Sequence, residues 1–255
     1  MIKKTLSILA AITIAASIFT GCGKKSDDTA SKKYIISTDV TFAPFEFEQD
    51  GKYTGIDVDL LAAIAKDQGF DYELKPMDFN GIIPALTSNQ IDGAIAGMSI
   101  TDERKKSVDF SDPYFESGVS MAVGVDNNSI KSLDDLKGKT VAVKKGTAGA
   151  KFAEGLKDKY GLNIKYFDNS PNMYQEVANK NSDVLFEDYP VIAYKISLDK
   201  DKPTLKIVGD KQDLNSYGFA VNKGKNKELL DKFNAGLKKL KENGEYDKIL
   251  AKYLK

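Results

Sequence analysis

Short β-branched runs alternate with helical patterns along most of this chain, and this alternation restricts its possible folds more than any other feature. Tyr34–Thr38 is the first strand-like run, and Gly55–Gly69 then places apolar residues at helical spacing before a glycine stop. The other predicted strands are Asp71–Lys75, Ile91–Ser99, Val119–Gly124, Thr140–Lys144, Asn163–Phe167, Asp183–Glu187, Leu205–Val208 and Tyr217–Val221. Predicted helices lie between them, among them Ala148–Tyr160 and one through Ile82–Leu86 capped by Asn80. The pattern predicts an α/β fold with largely parallel sheets.

Two segments without helical pattern, Tyr114–Gly118 and Asp213–Ser216, interrupt this alternation. If the chain crosses between two sheets at both places, one lobe is built from both ends of the chain and the other from its middle. Ligands of open α/β sheets bind beyond the carboxyl ends of the strands. We therefore expect two smaller sheets, rather than one large sheet, with a ligand cleft between them.

The first residues resemble an export signal. Met1–Lys4 carries two lysines, an apolar run extends from Leu6 to Phe19, and small residues follow. This order is typical of a signal peptide, here residues 1–21. A membrane-spanning helix is the alternative, but the run is shorter than the roughly 20 residues that a bilayer requires.

Cys22 is the only cysteine of the chain, so an internal disulfide is excluded. The run before it resembles a bacterial lipoprotein signal, in which the cysteine is acylated and becomes the new N-terminus, although Phe19 replaces the usual leucine. Residues 22–33 are polar and charged, which predicts a lipid-anchored flexible tether. We expect an extracytoplasmic protein anchored to the cell membrane; the alternative is an exported soluble protein with a spare thiol.

Charge and histidine content exclude several functions. The formal net charge is zero, and removing Lys3 and Lys4 with the signal leaves 35 basic against 37 acidic residues, so no basic face for nucleic acid is expected. The chain has no histidine, which excludes Ser-His-Asp and Cys-His catalysis and the usual zinc sites. A carboxylate-only metal site has no loop motif to support it.

Arg104 is the only arginine among the 37 basic residues. A chain that otherwise uses lysine for positive charge retains arginine where the planar guanidinium fork is needed, and this fork grips a carboxylate through two parallel hydrogen bonds. We interpret Arg104 as a carboxylate-binding residue; the alternative is an accidental surface arginine.

Three long segments resemble the polar amino-acid-binding proteins of ABC importers, family 3 of the bacterial solute-binding proteins, and among them the glutamine-binding members. They are STDVTFAPFEFEQDGKYTGIDVDLLAAIA, PMDFNGIIPAL and GMSITDERKKSVDFSDPYF, within a similarity from Tyr34 to Leu254. The resemblance implies a type II periplasmic-binding-protein fold, with two α/β lobes joined by two hinge strands. Lobe 1 would comprise residues 34–115 and 217–255, lobe 2 residues 119–212, and the hinge segments 114–118 and 213–217. It further implies a monomer that delivers its ligand to a permease, without cofactor, metal or catalysis.

The resemblance also assigns ligand-binding roles. Arg104 would bind the ligand α-carboxylate, assisted by Ser99 and the backbone amide of Thr147, where the amides of a helix N-terminus favour an anion. Gly97 and Asp188 would bind the α-ammonium. Phe42 and Phe79 would enclose the aliphatic stem, although ordinary core packing is the alternative for both.

Selectivity is expected from Asp39 and Lys144, which would accept from and donate to a side-chain amide and so favour glutamine. Two departures from the family pattern, Glu187 for a histidine and Ala148 for a glycine, leave arginine, glutamate or cystine as alternative ligands. A cyclohexadienyl-dehydratase-like enzyme on the same fold is a further alternative and would need a general acid in the cleft. A receptor sensor domain is a third alternative, which would require a transmembrane helix and an output domain after the binding module.

Overall fold

The computed structural model describes residues 32–254, which form two five-stranded sheets and one small three-stranded sheet. The strands are β1 (Tyr34–Thr38), β2 (Thr41–Phe42), β3 (Glu46–Gln49), β4 (Lys52–Thr54), β5 (Tyr72–Pro76), β6 (Gly93–Ala94), β7 (Val108–Phe110), β8 (Phe115–Gly124), β9 (Thr140–Lys144), β10 (Asn163–Phe167), β11 (Val184–Asp188), β12 (Leu205–Tyr217) and β13 (Ala220–Asn222). The helices are α1 (Ile56–Gln68), α2 (Phe79–Thr87), α3 (Ala148–Tyr160), α4 (Ser170–Ala178), α5 (Tyr189–Leu198), α6 (Lys227–Glu242) and α7 (Glu245–Tyr253). Two 3₁₀ turns span Arg104–Lys106 and Leu133–Leu136.

The first sheet has the order β5-β1-β6-β13-β7 and draws strands from both ends of the chain. β1 is parallel to β5 and β6, whereas β13 is antiparallel to β6 and β7. One buried cluster joins α1 and α6 to this sheet through residues such as Ile64 and Phe233, and a second joins α2 through Ile82 and Leu86. Each face of the sheet is thus covered by apolar packing.

The second sheet has the order β10-β9-β11-β8-β12 and is built from the middle of the chain. β9 is parallel to β10 and β11, and β8 is antiparallel to β11 and β12. One cluster contains Ala150 and Ala153 of α3, and the other contains Met173 of α4 and Ile192 of α5. The α/β fold class expected from the sequence is confirmed, with sheets more mixed than the parallel ones predicted.

β8 and β12 form a long antiparallel ribbon at the junction of the two sheets. Tyr217 pairs with Phe115 at one end and Leu205 pairs with Gly124 at the other, with register shifts between them. Residues 114–118 and 213–217 lie at the end of the ribbon nearest the first sheet. A hinge function for these segments stays a prediction.

Several sequence predictions differ from the structure. Ile91–Ser99 is a strand only at Gly93–Ala94, because the chain then turns at Gly97, whose amide donates to Asp57 instead of to a neighbouring strand. Asp78, not Asn80, occupies the N-cap position of α2. The short strands β2 to β4 and β7 and the helices α4 and α5 were not predicted.

The predicted signal peptide, and all of the tether except residues 32 and 33, lie outside the described residues. Within the part of the chain that is described, no helix combines the length and apolar character needed to cross a bilayer.

Candidate ligand-binding site

The carboxyl ends of strands from both sheets meet at one cavity. β1 leads to Asp39, β6 leads to the turn at Gly97, β9 ends at Lys144 and β11 ends at Asp188. This is the edge at which open α/β sheets bind ligands. The cavity has a volume of about 240 Å³, part of it open solvent, and is lined by Phe42, Phe79, Gly97, Ser99, Arg104, Lys144, Thr147, Ala148 and Asp188.

Eight of the nine residues predicted for the ligand therefore line a single cavity, and the ninth, Asp39, lies behind Lys144. A larger groove of about 1570 Å³, part of it open solvent, borders this region at Thr41 and Tyr174. None of the nine predicted residues lines that groove, and no arginine lies in it, so the smaller cavity is the better ligand site.

Arg104 follows a turn in which Thr101 accepts a hydrogen bond from its backbone amide at 3.2 Å. Its Nη1 donates to the carbonyl of Ser99 at 2.7 Å, and its Nη2 donates to the carbonyl of Gly146 at 2.8 Å. The guanidinium also lies 5.3 Å from the centre of the Phe79 ring. These contacts hold the guanidinium plane fixed at the cavity wall.

Burial lowers the pKa of Arg104, and the nearby Asp188 carboxylate opposes that shift. Arginine stays protonated in proteins. The cavity therefore contains a permanent cation with a fixed fork.

Asp188 lies at the end of β11, directly before α5. Its Oδ2 accepts a hydrogen bond of 2.5 Å from the Tyr217 hydroxyl, and its Oδ1 is buried without a hydrogen-bond partner among the described residues. Burial and the neighbouring Glu187 together raise the pKa of Asp188 to about 7, against the lowering effect of Tyr217 and Arg104. A buried acceptor without a donor costs about 1–3 kcal/mol, so this oxygen is suited to a cationic ligand group.

Lys144 and Asp39 form a buried ion pair at one end of the cavity. Lys144 Nζ lies 2.7 Å from Asp39 Oδ2, and the two side chains are 1% and 3% exposed. Asp39 Oδ1 accepts from the amide and the hydroxyl of Thr41 at 2.6 and 2.7 Å, and the same hydroxyl lies 3.1 Å from Lys144 Nζ. Both Asp39 oxygens thus have protein donors, and only Lys144 of the predicted selectivity pair reaches the cavity.

Thr147 caps α3 and lines the cavity. Its hydroxyl accepts from the amide of Ala150 at 3.2 Å and donates to the carbonyl of Lys144 at 2.8 Å. The Thr147 amide makes a long hydrogen bond of 3.4 Å to that same carbonyl. The positive end of the α3 dipole therefore lies at the cavity, which favours an anion there.

Gly97 requires glycine for two reasons. Its φ of +52° is left-handed, and a Cβ at this position would lie 2.5 Å from the Phe42 ring. Gly97 and the buried Ser99 therefore bring the main chain close to the cavity, where Phe42 fills the space beside the turn.

Glu187 does not line the cavity, although it is next to Asp188. Ser170 and Tyr174 donate to its Oε2 at 2.8 and 3.1 Å, and the amide of Asp188 donates to its Oε1 at 3.0 Å. Burial raises the pKa of Glu187. The carboxyl group that Glu187 adds beside Asp188 is therefore hydrogen-bonded within its own lobe.

Sequence reasoning missed Thr41 and Tyr217, which bind the carboxylates of Asp39 and Asp188. Thr41 lies within one of the segments that carry the family resemblance, so its hydroxyl two residues after Asp39 was a usable signal. No sequence signal indicated Tyr217, because its partner Asp188 lies 29 positions earlier in the chain.

Known proteins are similar to this chain over nearly all of the described residues. The family model for bacterial extracellular solute-binding proteins, family 3, matches residues 34–255. The chain is 37% identical over 254 residues to the arginine-binding extracellular protein ArtP of Bacillus subtilis (strain 168), and the match covers 98% of each chain.

Two solved structures are also similar, each with 45% sequence identity. One is described as an ancestral arginine-binding protein bound to arginine, with a TM-score of 0.83, covering 88% of this chain and 98% of that one. The other is described as an ancestral arginine-binding protein bound to glutamine, with a TM-score of 0.81 and coverages of 87% and 97%. Given the family match and these relatives, the chain belongs to family 3 of the bacterial extracellular solute-binding proteins and has their type II periplasmic-binding-protein fold.

Proposed function

We propose that this protein binds one polar amino acid, glutamine, between its two lobes and delivers it as a monomer to the permease of an ABC importer. The observation that carries the proposal is that a guanidinium and a carboxyl group line one small cavity. Arg104 presents a guanidinium, Asp188 presents a carboxylate oxygen without another donor, and both line the same space. An α-amino acid carries one carboxylate and one ammonium, which complement this pair.

The side-chain end of the cavity supports glutamine. Lys144 is neutralised by Asp39, so the pair brings no net charge to the ligand. An uncharged amide can accept from Lys144 without adding charge. Glutamate would add an anion near Asp39, and arginine would place a cation against the Lys144 ammonium.

Arginine is the second candidate. The relatives above are described as arginine-binding proteins, and one of them is bound to glutamine. Glu187 adds a buried carboxyl group near the cavity and so favours a cationic ligand electrostatically. In this chain, however, its oxygens already accept three hydrogen bonds from Ser170, Tyr174 and Asp188.

We propose a binding protein rather than an enzyme, in agreement with the descriptions of the relatives. The acids of the cavity region have partners that suit ligand recognition: Asp39 pairs with Lys144, and Asp188 faces Arg104. Turnover of prephenate or arogenate by the purified protein would contradict this part of the proposal.

A thermal-shift screen of ligand-stripped protein against the twenty amino acids tests the function. We expect glutamine to raise the unfolding temperature most, because a ligand stabilises the folded state by RT ln(1 + [L]/Kd), about 2.7 kcal/mol at a concentration 100 times Kd. If no amino acid shifts the transition, the proposed function is wrong.

We further propose that acylated Cys22 anchors the protein outside the cytoplasmic membrane. Replacing Cys22 with serine is expected to move the protein from the membrane fraction to the soluble fraction, because two acyl chains supply the stable anchoring that the polar tether lacks. Fractionation of cells that express each form measures this. A Cys22→Ser variant that remains membrane-bound would show that the anchor is different.

A further inference from the structure

Two buried acids lie behind the turn that carries Gly97. Glu46 begins β3, Asp57 lies in the first turn of α1, and both side chains are completely buried. The amide of Asp57 donates to the carbonyl of Phe45, the residue before Glu46, at 2.9 Å, and the two carboxyl groups lie near enough to interact. Neither residue lines the ligand cavity.

The donors around these acids are unequally distributed. Asp57 Oδ2 accepts from the amide of Gly97 at 2.7 Å and from the hydroxyl of Tyr114 at 2.8 Å. Within residues 32–254, Asp57 Oδ1 and both oxygens of Glu46 are buried and receive no hydrogen bond if both groups are ionised. A proton on Glu46, donated to Asp57, would remove two of these three unsatisfied acceptors. Two ionised carboxylates in contact would instead repel each other in a medium of low dielectric constant.

The location of the proton follows from the same contacts. Asp57 has two donors and lies at a helix N-terminus, which stabilises its anion. Glu46 has no comparable donors; it faces the carboxylates of Asp57 and Asp39, with Lys144 as the opposing cation. Burial and the two carboxylates raise the pKa of Glu46 well above its ordinary value, whereas burial raises that of Asp57 to about 6.

We propose that Glu46 is a neutral carboxylic acid at physiological pH, that it shares its proton with Asp57, and that this pair is a positioning device for the ligand-binding turn at Gly97. Asp57 connects helix α1, the Gly97 turn and, through Tyr114, the start of the ribbon that joins the two sheets. An ionised Glu46 would leave two buried anions beneath the turn, and their repulsion would disturb it. The positioning role rests on the proposed amino-acid site, whereas the shared proton does not.

Infrared difference spectroscopy tests the proton directly. At neutral pH, wild type minus Glu46→Gln is expected to show the C=O stretch of a protonated carboxylic acid. Glu48→Gln is the matched control, because Glu48 lies on the same strand and is exposed; its difference spectrum should lack that band. If the Glu46 difference spectrum lacks the band, Glu46 is ionised and the inference is wrong.

Carbon-13 NMR of the wild type needs no variant. With labelled glutamate carboxyl groups, the resonance assigned to Glu46 should stay at its protonated position at neutral pH after the exposed glutamates have titrated. If every glutamate resonance reaches its ionised position by neutral pH, the inference is overturned.

Calorimetry with glutamine as the probe tests the positioning role. We expect Glu46→Gln to bind within about twofold of wild type at neutral pH, because its side-chain amide still donates to Asp57. Asp57→Asn should bind about tenfold more weakly or worse, because the hydrogen bond that it accepts from the Gly97 amide is no longer charge-assisted. In alkaline solution wild type should lose affinity as Glu46 ionises, whereas Glu46→Gln should lose less. A folded Glu46→Gln variant that binds as poorly as Asp57→Asn would contradict the role of the neutral acid.

If wild type does not bind glutamine, the proposed ligand is wrong, and arginine then serves as the probe. The infrared and NMR results remain decisive for the shared proton in either case.

Discussion

Replacing Arg104 with alanine is expected to weaken amino-acid binding by about 30-fold to about 5000-fold. Truncating one partner of a buried, hydrogen-bonded charge pair costs about 2–5 kcal/mol, and each 1.4 kcal/mol is a factor of ten in Kd. The loss is large because the α3 N-terminus alone would then face the ligand carboxylate. Calorimetric titration with glutamine measures this loss of affinity. The affinity of Arg104→Lys should lie between those of wild type and Arg104→Ala, because lysine retains the charge but lacks the planar fork.

Lys105→Ala is the matched control. Lys105 is the next residue, its side chain is exposed, and its ion pair with Asp102 at 3.4 Å lies at the surface, so binding should not change. Arg104→Ala must retain the unfolding transition of wild type for the comparison to hold. Near-normal affinity in a folded Arg104→Ala variant would exclude the proposed orientation of the ligand.

Affinity is expected to fall by about tenfold for each pH unit below about pH 7, and to be level just above it. Asp188, with its pKa raised to about 7, is largely neutral in acid, but it must be ionised to pair with the ligand ammonium. Binding in this range therefore releases a proton. Titrations in buffers of different ionisation enthalpy count the proton, and Asp188→Asn should abolish the dependence while binding weakly at every pH.

As the pH rises, the affinity should increase, whereas the stability of the ligand-free protein should decrease. A carboxyl group whose pKa is raised in the folded state binds more protons than in the unfolded state, so its contribution to stability is present below its ordinary pKa and is lost as pH rises towards about 7. Glu46, Asp57 and Glu187 also have raised pKa values and act in the same direction, so the contribution of Asp188 is measured as the difference between wild type and Asp188→Asn. An affinity that does not change between about pH 5 and about pH 8 would contradict the role of Asp188.

Much of the fold was predictable wherever local signals agree with tertiary packing. The predicted limits of β1, α1 and α3 are within about one residue of the observed ones, because Gly69, Thr147 and Gly161 are strong capping signals. By contrast, Ile91–Ser99 has the composition of a strand but becomes mostly turn, because Asp57 captures the Gly97 amide from 40 positions away. Helix α4 was missed although Asn169 and Pro171 mark its start.

The residues that line the cavity were predictable, but their pairings were not. The lone arginine and the family resemblance indicate residues that do line one cavity. No sequence signal shows that Lys144 pairs with Asp39, that Tyr217 binds Asp188, or that Glu46 contacts Asp57, because each pair joins residues from distant elements. An acid at a strand start or in a first helical turn is usually at the surface, and only the fold buries Glu46 and Asp57.

Calorimetric titration of ligand-stripped protein with glutamine, glutamate and arginine tests the central claim most directly. Glutamine should bind most tightly, because it satisfies Arg104, Asp188 and Lys144 without adding charge, and a site built to hydrogen-bond one group discriminates strongly against ligands that leave it unpaired. If arginine or glutamate binds more tightly than glutamine, the account of selectivity through Lys144 and Asp39 is wrong. If none of the three binds, the amino-acid site itself is contradicted.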